Sequence, residues 1–473
     1  MNKSFLTFFS VLVTMACPLI AATAASPEAC ATAAVIYPKI ADLNFVPRGP
    51  VATDMAELER RMKPYTGVTN PGADPSTLNG KVMAGYQGWF AHPDDGAGIG
   101  YFHYGAEKGF RPGFSTIEMW PDMSEMDADE KYPTLFRLKD GSVANVFSSY
   151  NPKTVARHFR WMAEYGIDGV FVQRFGTRII KPRDYDFTNG VLDHCRAAAN
   201  QFGRTWTVMY DVSGLKEGEM EKYVIADWKR LVDLMKVRED RMYQRHEGKP
   251  VLAIWGLGLG NKDLQRGGIG ESVAVLNFLK NDPVYGGNSI VLGIPLAYRT
   301  PGLRDASWDP RWAEVYAMAD VLSPWTIGRY KTLQEYDKVR KDFQVGDVAQ
   351  TRAAGQDYLP VIFPGFSWQN LMGTRGKKEP QPAIARLRGE FFRRQAIGAH
   401  KLGTKMVYVA MFDEMDEATS IFKITDDSPV GANSFLGGEG LPSDYYLRLC
   451  GELSRELKTP EQKTNSHWIR RRQ

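Results

Sequence analysis

The residues best placed to do chemistry are Asp413, Glu414, Asp416 and Glu417, four carboxylates packed directly behind an apolar run at 406–412. Like charges this close repel one another, and nothing in folding requires them at the end of a buried strand. Paired carboxylates are the usual equipment for acid/base work on a glycosidic bond, where one protonates the leaving oxygen and the other serves as base or nucleophile. Two other readings fit the same local sequence. One is a solvated acidic turn that caps the next helix. The other is a calcium site built from Asp413, Glu414 and Asp416, since oxygen-only ligation suits that ion. Spacing adds a geometric condition. Glu414 and Glu417 share a face only if the chain makes a helical turn after Phe412, because a straight strand would aim them to opposite sides. In such a turn their repulsion raises one pKa, which leaves one group as acid and its partner as base.

The elements that must position these groups follow a regular alternation. Apolar, β-branched-rich runs at 82–90, 169–175, 206–212, 251–255, 290–297, 321–325, 359–366 and 406–412 predict eight strands. Amphipathic segments lie between them. The clearest, 152–165, has Asn151 to cap it and Pro152 at its first position. Gly166, Gly203 and Gly403 stand just past predicted helix ends, as C-terminal caps do. Eight strands each followed by a helix predict an α/β fold, a (β/α)8 TIM barrel. The open doubly wound sheet is disfavoured, because no glycine-rich phosphate loop follows the first strand. A barrel carries its chemistry at the C-terminal strand ends, which here supply Tyr86, Trp89, Gln173, Arg174, Tyr210, Asp211, Trp255, Trp325, Trp368 and Asp413 as expected substrate-binding residues. Aromatic faces with polar groups between them suit sugar rings, although any single Trp is more often core packing. The first connection, 91–150, is far longer than an ordinary βα loop and is expected to wall the cleft.

Composition narrows the partners. A net charge of +4 over 473 residues offers no basic field for nucleic acid. The expected organisation is a signal peptide at 1–24, an N-terminal extension at 25–78, the barrel at 79–458 and a tail at 459–473. Lys3, the apolar run 5–16 and Ala22-Thr-Ala24 form the export signal. A lipoprotein reading through Cys17 is second, because Thr14 and Met15 stand where a lipobox has an aliphatic and a small residue. No later segment approaches the roughly 20 apolar residues that span a bilayer, so a periplasmic or secreted protein is expected. Cys30, Cys195 and Cys450 leave at most one disulfide, unassigned. The seven His are scattered without metal-ligand spacing, so neither a metal nor another cofactor is expected. Oligomeric state is left open.

Several motifs together resemble glycoside hydrolase families 71 and 99 and, more closely, the bacterial family 71/99-like group, also labelled xylosidase/arabinosidase-like. They are Gly85-Tyr-Gln-Gly-Trp-Phe90, Phe147-Ser-Ser-Tyr-Asn-Pro152, Gly166-Ile-Asp-Gly-Val-Phe-Val-Gln-Arg-Phe175, Met209-Tyr-Asp211, Ser323-Pro-Trp325, Phe363-Pro-Gly-Phe-Ser-Trp368 and Phe412-Asp-Glu-Met-Asp-Glu-Ala-Thr419. Family 99 enzymes are similar in placing an N-E-W-x-E-G-T motif after the last strand. The resemblance implies that Glu414 engages the substrate 2-hydroxyl as a base and Glu417 is the acid/base at the glycosidic oxygen, with retention through a 1,2-anhydrosugar. Asp413, Met415 and Ala418 replace the motif's Asn, Trp and Gly. The expected activity is therefore hydrolysis of a poly- or oligosaccharide by a two-carboxylate site. The alternative is a non-catalytic glycan-binding protein on the same scaffold.

Overall fold

The computed structural model describes residues 37–105, 109–260 and 267–458, so the expected signal peptide and tail lie outside it. Eight parallel strands follow in chain order: β1 Lys81–Tyr86, β2 Gly169–Phe175, β3 Thr205–Asp211, β4 Lys249–Trp255, β5 Ser289–Ile294, β6 Val321–Pro324, β7 in two short runs Asp357–Tyr358 and Val361–Ile362, and β8 Met406–Val409. Each pairs with the next, and β8 returns to β1 with Met406 opposite Lys81. The split strand β7 completes the ring. Asp357 pairs with Val321 of β6, while Val361 pairs with Tyr408 of β8. Between the two runs sits Pro360, which has no N–H to give, but its carbonyl still accepts from Tyr408 N at 3.0 Å. The fold is a (β/α)8 barrel.

A helix follows every strand: Pro152–Tyr165, Pro182–Gln201, Ile225–Asp233, Ile269–Asn281, Trp312–Ala317, Leu333–Val339 with its continuation Val345–Ala353, Glu390–Lys401 and Tyr445–Lys458. Local chemistry sets their ends. The Asn151 side chain accepts from Lys153 N, and Gly166 closes the same helix at φ +83°, a conformation that glycine adopts without a Cβ clash. Among residues 37–78, the helix Met55–Arg61 lies on the barrel helix Pro182–Gln201. Arg48 and Arg61 both pair with the buried Asp186, at 2.7 and 2.8 Å.

Strand alternation divides the apolar interior into two cores. Val82, Ala84, Val170, Val172, Leu252 and Ile254 face the helices. Met83, Phe171, Met209, Val251, Ala253 and Tyr408 fill the barrel. This alternation corrects three expected binding residues. Tyr86, Arg174 and Tyr210 share the parity of the helix-facing set and are sealed from the cleft. The Tyr86 hydroxyl lies 2.9 Å from His158 Nδ1, and its ring stacks on Phe412. Arg174 makes two bonds of 2.5 Å to Asp227 and one of 2.7 Å to Asn189. Tyr210 donates to the same Asp227 at 2.5 Å. Their chain neighbours Gln173 and Asp211 point inward instead.

Removing one partner of a buried ion pair strands the other charge. Arg174→Ala should therefore cost about 3–5 kcal/mol in stability, read by chemical denaturation.

Candidate active site

Strand β8 ends at Val409, three residues before the apolar run does. Two contacts then fasten the chain to the end of β1. Phe412 N donates to Gly85 O at 2.7 Å. The Asp413 carboxylate accepts from Gln87 N at 2.7 Å and Gly88 N at 2.9 Å. Asp413 is fully buried with both oxygens engaged, so it joins two strand ends and does not face the cleft as expected. Burial pushes its pKa up to about 7.

From Asp413 the chain makes one tight turn. Met415 N donates to Asp413 O, Ala418 N to Met415 O, and Thr419 N to Glu414 O, at 3.0, 3.3 and 3.2 Å. Met415 drops into the core, so the residues on either side of it are free to point elsewhere. Ala418 sits at φ +52°, in the left-handed region that favours glycine. From the β7 side, the buried Arg386 donates to the carbonyls of Ala418 and Ser420 at 2.9 and 2.6 Å.

This turn brings Glu414 and Glu417 together. Glu414 is buried, its Oε1 accepting from Gln87 Nε2 at 2.6 Å and its Oε2 from Thr419 Oγ1 at 2.5 Å. Burial, followed by repulsion from Glu417 and Asp416, holds its pKa well above the usual carboxylate range. Glu417 is partly exposed. Its pKa is pushed up to about 8 by burial and by Asp416, against the opposing pull of Arg375. Among the described residues no hydrogen bond reaches the Glu417 carboxylate, and Glu417 is held through its backbone, whose carbonyl accepts from Ser367 N at 2.9 Å. Burial and the neighbouring acids thus push both carboxyls of the pair upward.

The barrel mouth beneath is lined by inward residues of the other strands. Gln173 Nε2 donates to the Tyr408 hydroxyl at 3.0 Å. Trp325 packs against Tyr408 at 6.1 Å and edge-on to Trp255 at 5.3 Å. Asp211 has its pKa raised to about 6 by burial, and it accepts from Ser213 N and Oγ. Asp211, Trp255 and Trp325 all remain partly exposed, as does Trp368, whose chain neighbour Ser367 holds the Glu417 backbone.

The long first connection docks on the same turn, with Glu118 N donating to Met415 O at 2.9 Å. Its His103 pairs with Asp416 at 2.7 Å and stacks on Trp89 at 3.7 Å with the rings nearly parallel. Phe175 covers the other face of Trp89 at 5.1 Å. Trp89 therefore offers no open face to a sugar, contrary to expectation. The acidic run of this loop forms a capping box, Asp127 with Glu130, over Arg157. The hairpin Tyr132–Arg137 with Val143–Val146 follows it.

Sequence reasoning placed Gln87 at the strand ends without a role, and it missed four participants: Thr419, which with Gln87 donates to Glu414, together with Tyr408, His103 and Glu118. Gln87 and Thr419 lie inside the motifs already quoted and could have been found as polar neighbours of the acids. Glu118 carries no local signal. It is wholly buried between loops, where Ser367 Oγ and Gln381 Nε2 donate to it at 2.7 and 2.9 Å.

No family model matches the chain, and no curated protein is similar to it. Solved structures are. Two structures of the GH99 endo-α-mannosidase from Bacteroides thetaiotaomicron align over 81% of this chain and 98% of theirs. Their TM-scores are 0.56 and 0.52 at 14% and 15% identity, the first of them in complex with bis-tris-propane. The chain has the fold of the family 99 enzymes. The architecture is thus the one that the resemblance implies.

The left-handed Ala418 gives a direct test of the turn. A left-handed non-glycine residue costs about 1–2 kcal/mol, so Ala418→Gly should raise stability by about 1 kcal/mol. A lower melting temperature for that variant would contradict the turn conformation.

Proposed function

We propose that this chain is an exported glycoside hydrolase that uses Glu414 and Glu417 to cleave a poly- or oligosaccharide. The observation that carries the reading is the carboxylate pair held in the turn after the last barrel strand, Glu414 buried and Glu417 partly open to the cleft. Two groups of one kind have been given different surroundings. Glu414 accepts two hydrogen bonds, from Gln87 and Thr419, which oppose the larger upward push of burial and of its acidic neighbours on its pKa. With the proton of the pair on Glu417, Glu414 would take a proton from a substrate hydroxyl. Glu417 faces the cleft without such donors and with its pKa pushed up to about 8, which suits a proton donor to the glycosidic oxygen. Gln173, Asp211, Trp255, Trp325 and Trp368 would hold the sugar. The structural neighbours are named as endo-α-mannosidases, which makes α-mannosides the first substrates to try. The signal at 1–24 supports export. No described helix is long and apolar enough to cross a membrane.

The test is product release from α-mannan, arabinan and xylan. Glu417→Gln should lower kcat at least 10²-fold on any glycan the wild type cleaves, and Glu414→Gln should do the same. Binding without cleavage by the wild type would move the assignment to a glycan-binding scaffold.

The sign of the pH dependence follows from the acid role. Glu417 must carry a proton to donate, so kcat/KM should fall as pH rises through about 8. The same carboxyl binds its proton more tightly folded than unfolded, so stability should decline between its ordinary pKa and about 8. An alkaline limb that persists in Glu417→Gln with residual activity would assign the proton to another group.

A further inference from the structure

Across the barrel mouth from the carboxylate pair stands a large aromatic ring in water. Trp308 is 81% exposed, more than any other large apolar side chain among the described residues. It lies on the connection from β5 to the helix Trp312–Ala317, on the same C-terminal face as Glu414 and Glu417. Three strand steps around the ring separate β5 from β8, which puts this loop on the far wall.

The loop is built to hold the ring out. The Asp305 carboxylate accepts from Leu296 N and Ala297 N at 3.1 and 3.2 Å and pairs with Arg329 at 2.7 Å. Gly302 N donates to Ser307 O, and Ser307 N to Gly258 O, each at 2.9 Å. One face of the indole is backed by the main chain. Gly302 sits at φ +75°, and a Cβ there would come within 2.3–2.5 Å of three Trp308 ring atoms. The other face is open. Beside it lies a cavity of about 330 Å³ lined by Leu259, Arg304, Asp305 and Arg329. Isolated exposed apolar residues are common on protein surfaces. A tryptophan seated on a glycine, in a pinned loop, beside a cavity edged with charged hydrogen-bonding groups is a more particular arrangement.

We propose that Trp308 and this cavity form a distal carbohydrate subsite, which takes a pyranose ring of the glycan at a distance from the bond under attack. The reading of that glycan as substrate rests on the hydrolase proposal, whereas the binding does not. The C–H face of the sugar packs on the open indole face. Arg304, Arg329 and Asp305 are placed to hydrogen-bond its hydroxyls. Such a contact favours long chains over short ones and an internal position of cleavage over a terminal one.

The experiment uses the full chain carrying Glu417→Gln, run in native gels containing α-mannan, arabinan or xylan. Trp308→Ala should weaken retardation by at least one of these about tenfold, a typical value for one lost aromatic contact. Trp308→Tyr should restore most of it. In the active protein, Trp308→Ala should raise KM for the same polysaccharide about tenfold and leave kcat unchanged. Equal retardation of Trp308→Ala and its parent, or none by any of the three glycans, overturns the subsite. A wild type that releases no sugar but shows Trp308-dependent retardation sinks the hydrolase reading and leaves the subsite standing.

Discussion

The structure depends on gathering four carboxylates in a single turn, three of them buried away from bulk water. An acidic cluster of this kind is unfavourable by itself, through desolvation and through repulsion. Donors from three other segments offset that cost. The end of β1 satisfies Asp413 through two backbone N–H groups and Glu414 through Gln87. The long first connection supplies His103 to Asp416. The connection after β7 supplies Arg386 to the turn's carbonyls and Ser367 N to the Glu417 carbonyl. Of the four acids, Glu417 alone receives no hydrogen bond at its carboxylate among the described residues, and it is the one partly open to the cleft. The remaining strain therefore sits on the group that the chemistry would use.

The same constraint accounts for the unusual length of the first connection. A short βα loop could not reach over β8. This one folds its own aromatic layer around Phe110, Trp120 and Phe136, then returns across the top to meet Met415 and the chain near Leu436. Glu118, buried at that meeting point, ties it to the β7 connection through Ser367 and Gln381. The loops after β1, β7 and β8 thus act as one block against which a substrate could be held.

Much of the fold was legible because its signals are local. Strand runs, Asn151 and the capping glycines announce themselves within a few residues, and eight repeats of one pattern leave few alternatives to a barrel. The carboxylate pair was legible for the opposite reason, since it conflicts with the strand that precedes it. What was not legible depends on the third dimension. Gln173 and Arg174 are adjacent and similar in character, yet the pleat sends one into the barrel and the other to Asp227 on a helix. Trp89 reads as a sugar platform until His103 and Phe175 arrive from elsewhere to cover both faces. Asp413 reads like its acidic neighbours, and only its register against Gln87 and Gly88 shows it to be a structural anchor. The break in β7 was not legible either, since 359–366 reads as one apolar run, whereas the strand divides at Leu359-Pro360 into Asp357–Tyr358 and Val361–Ile362.

The central claim is that the Glu414/Glu417 pair keeps a proton at neutral pH. Its most direct test is a pH titration of the glutamate side-chain carboxyl carbons by ¹³C NMR, in wild type and in Glu417→Gln. The account predicts a carboxyl in the wild type that titrates near 8 and is lost in the variant. Full ionisation of both glutamates by pH 6 would contradict it.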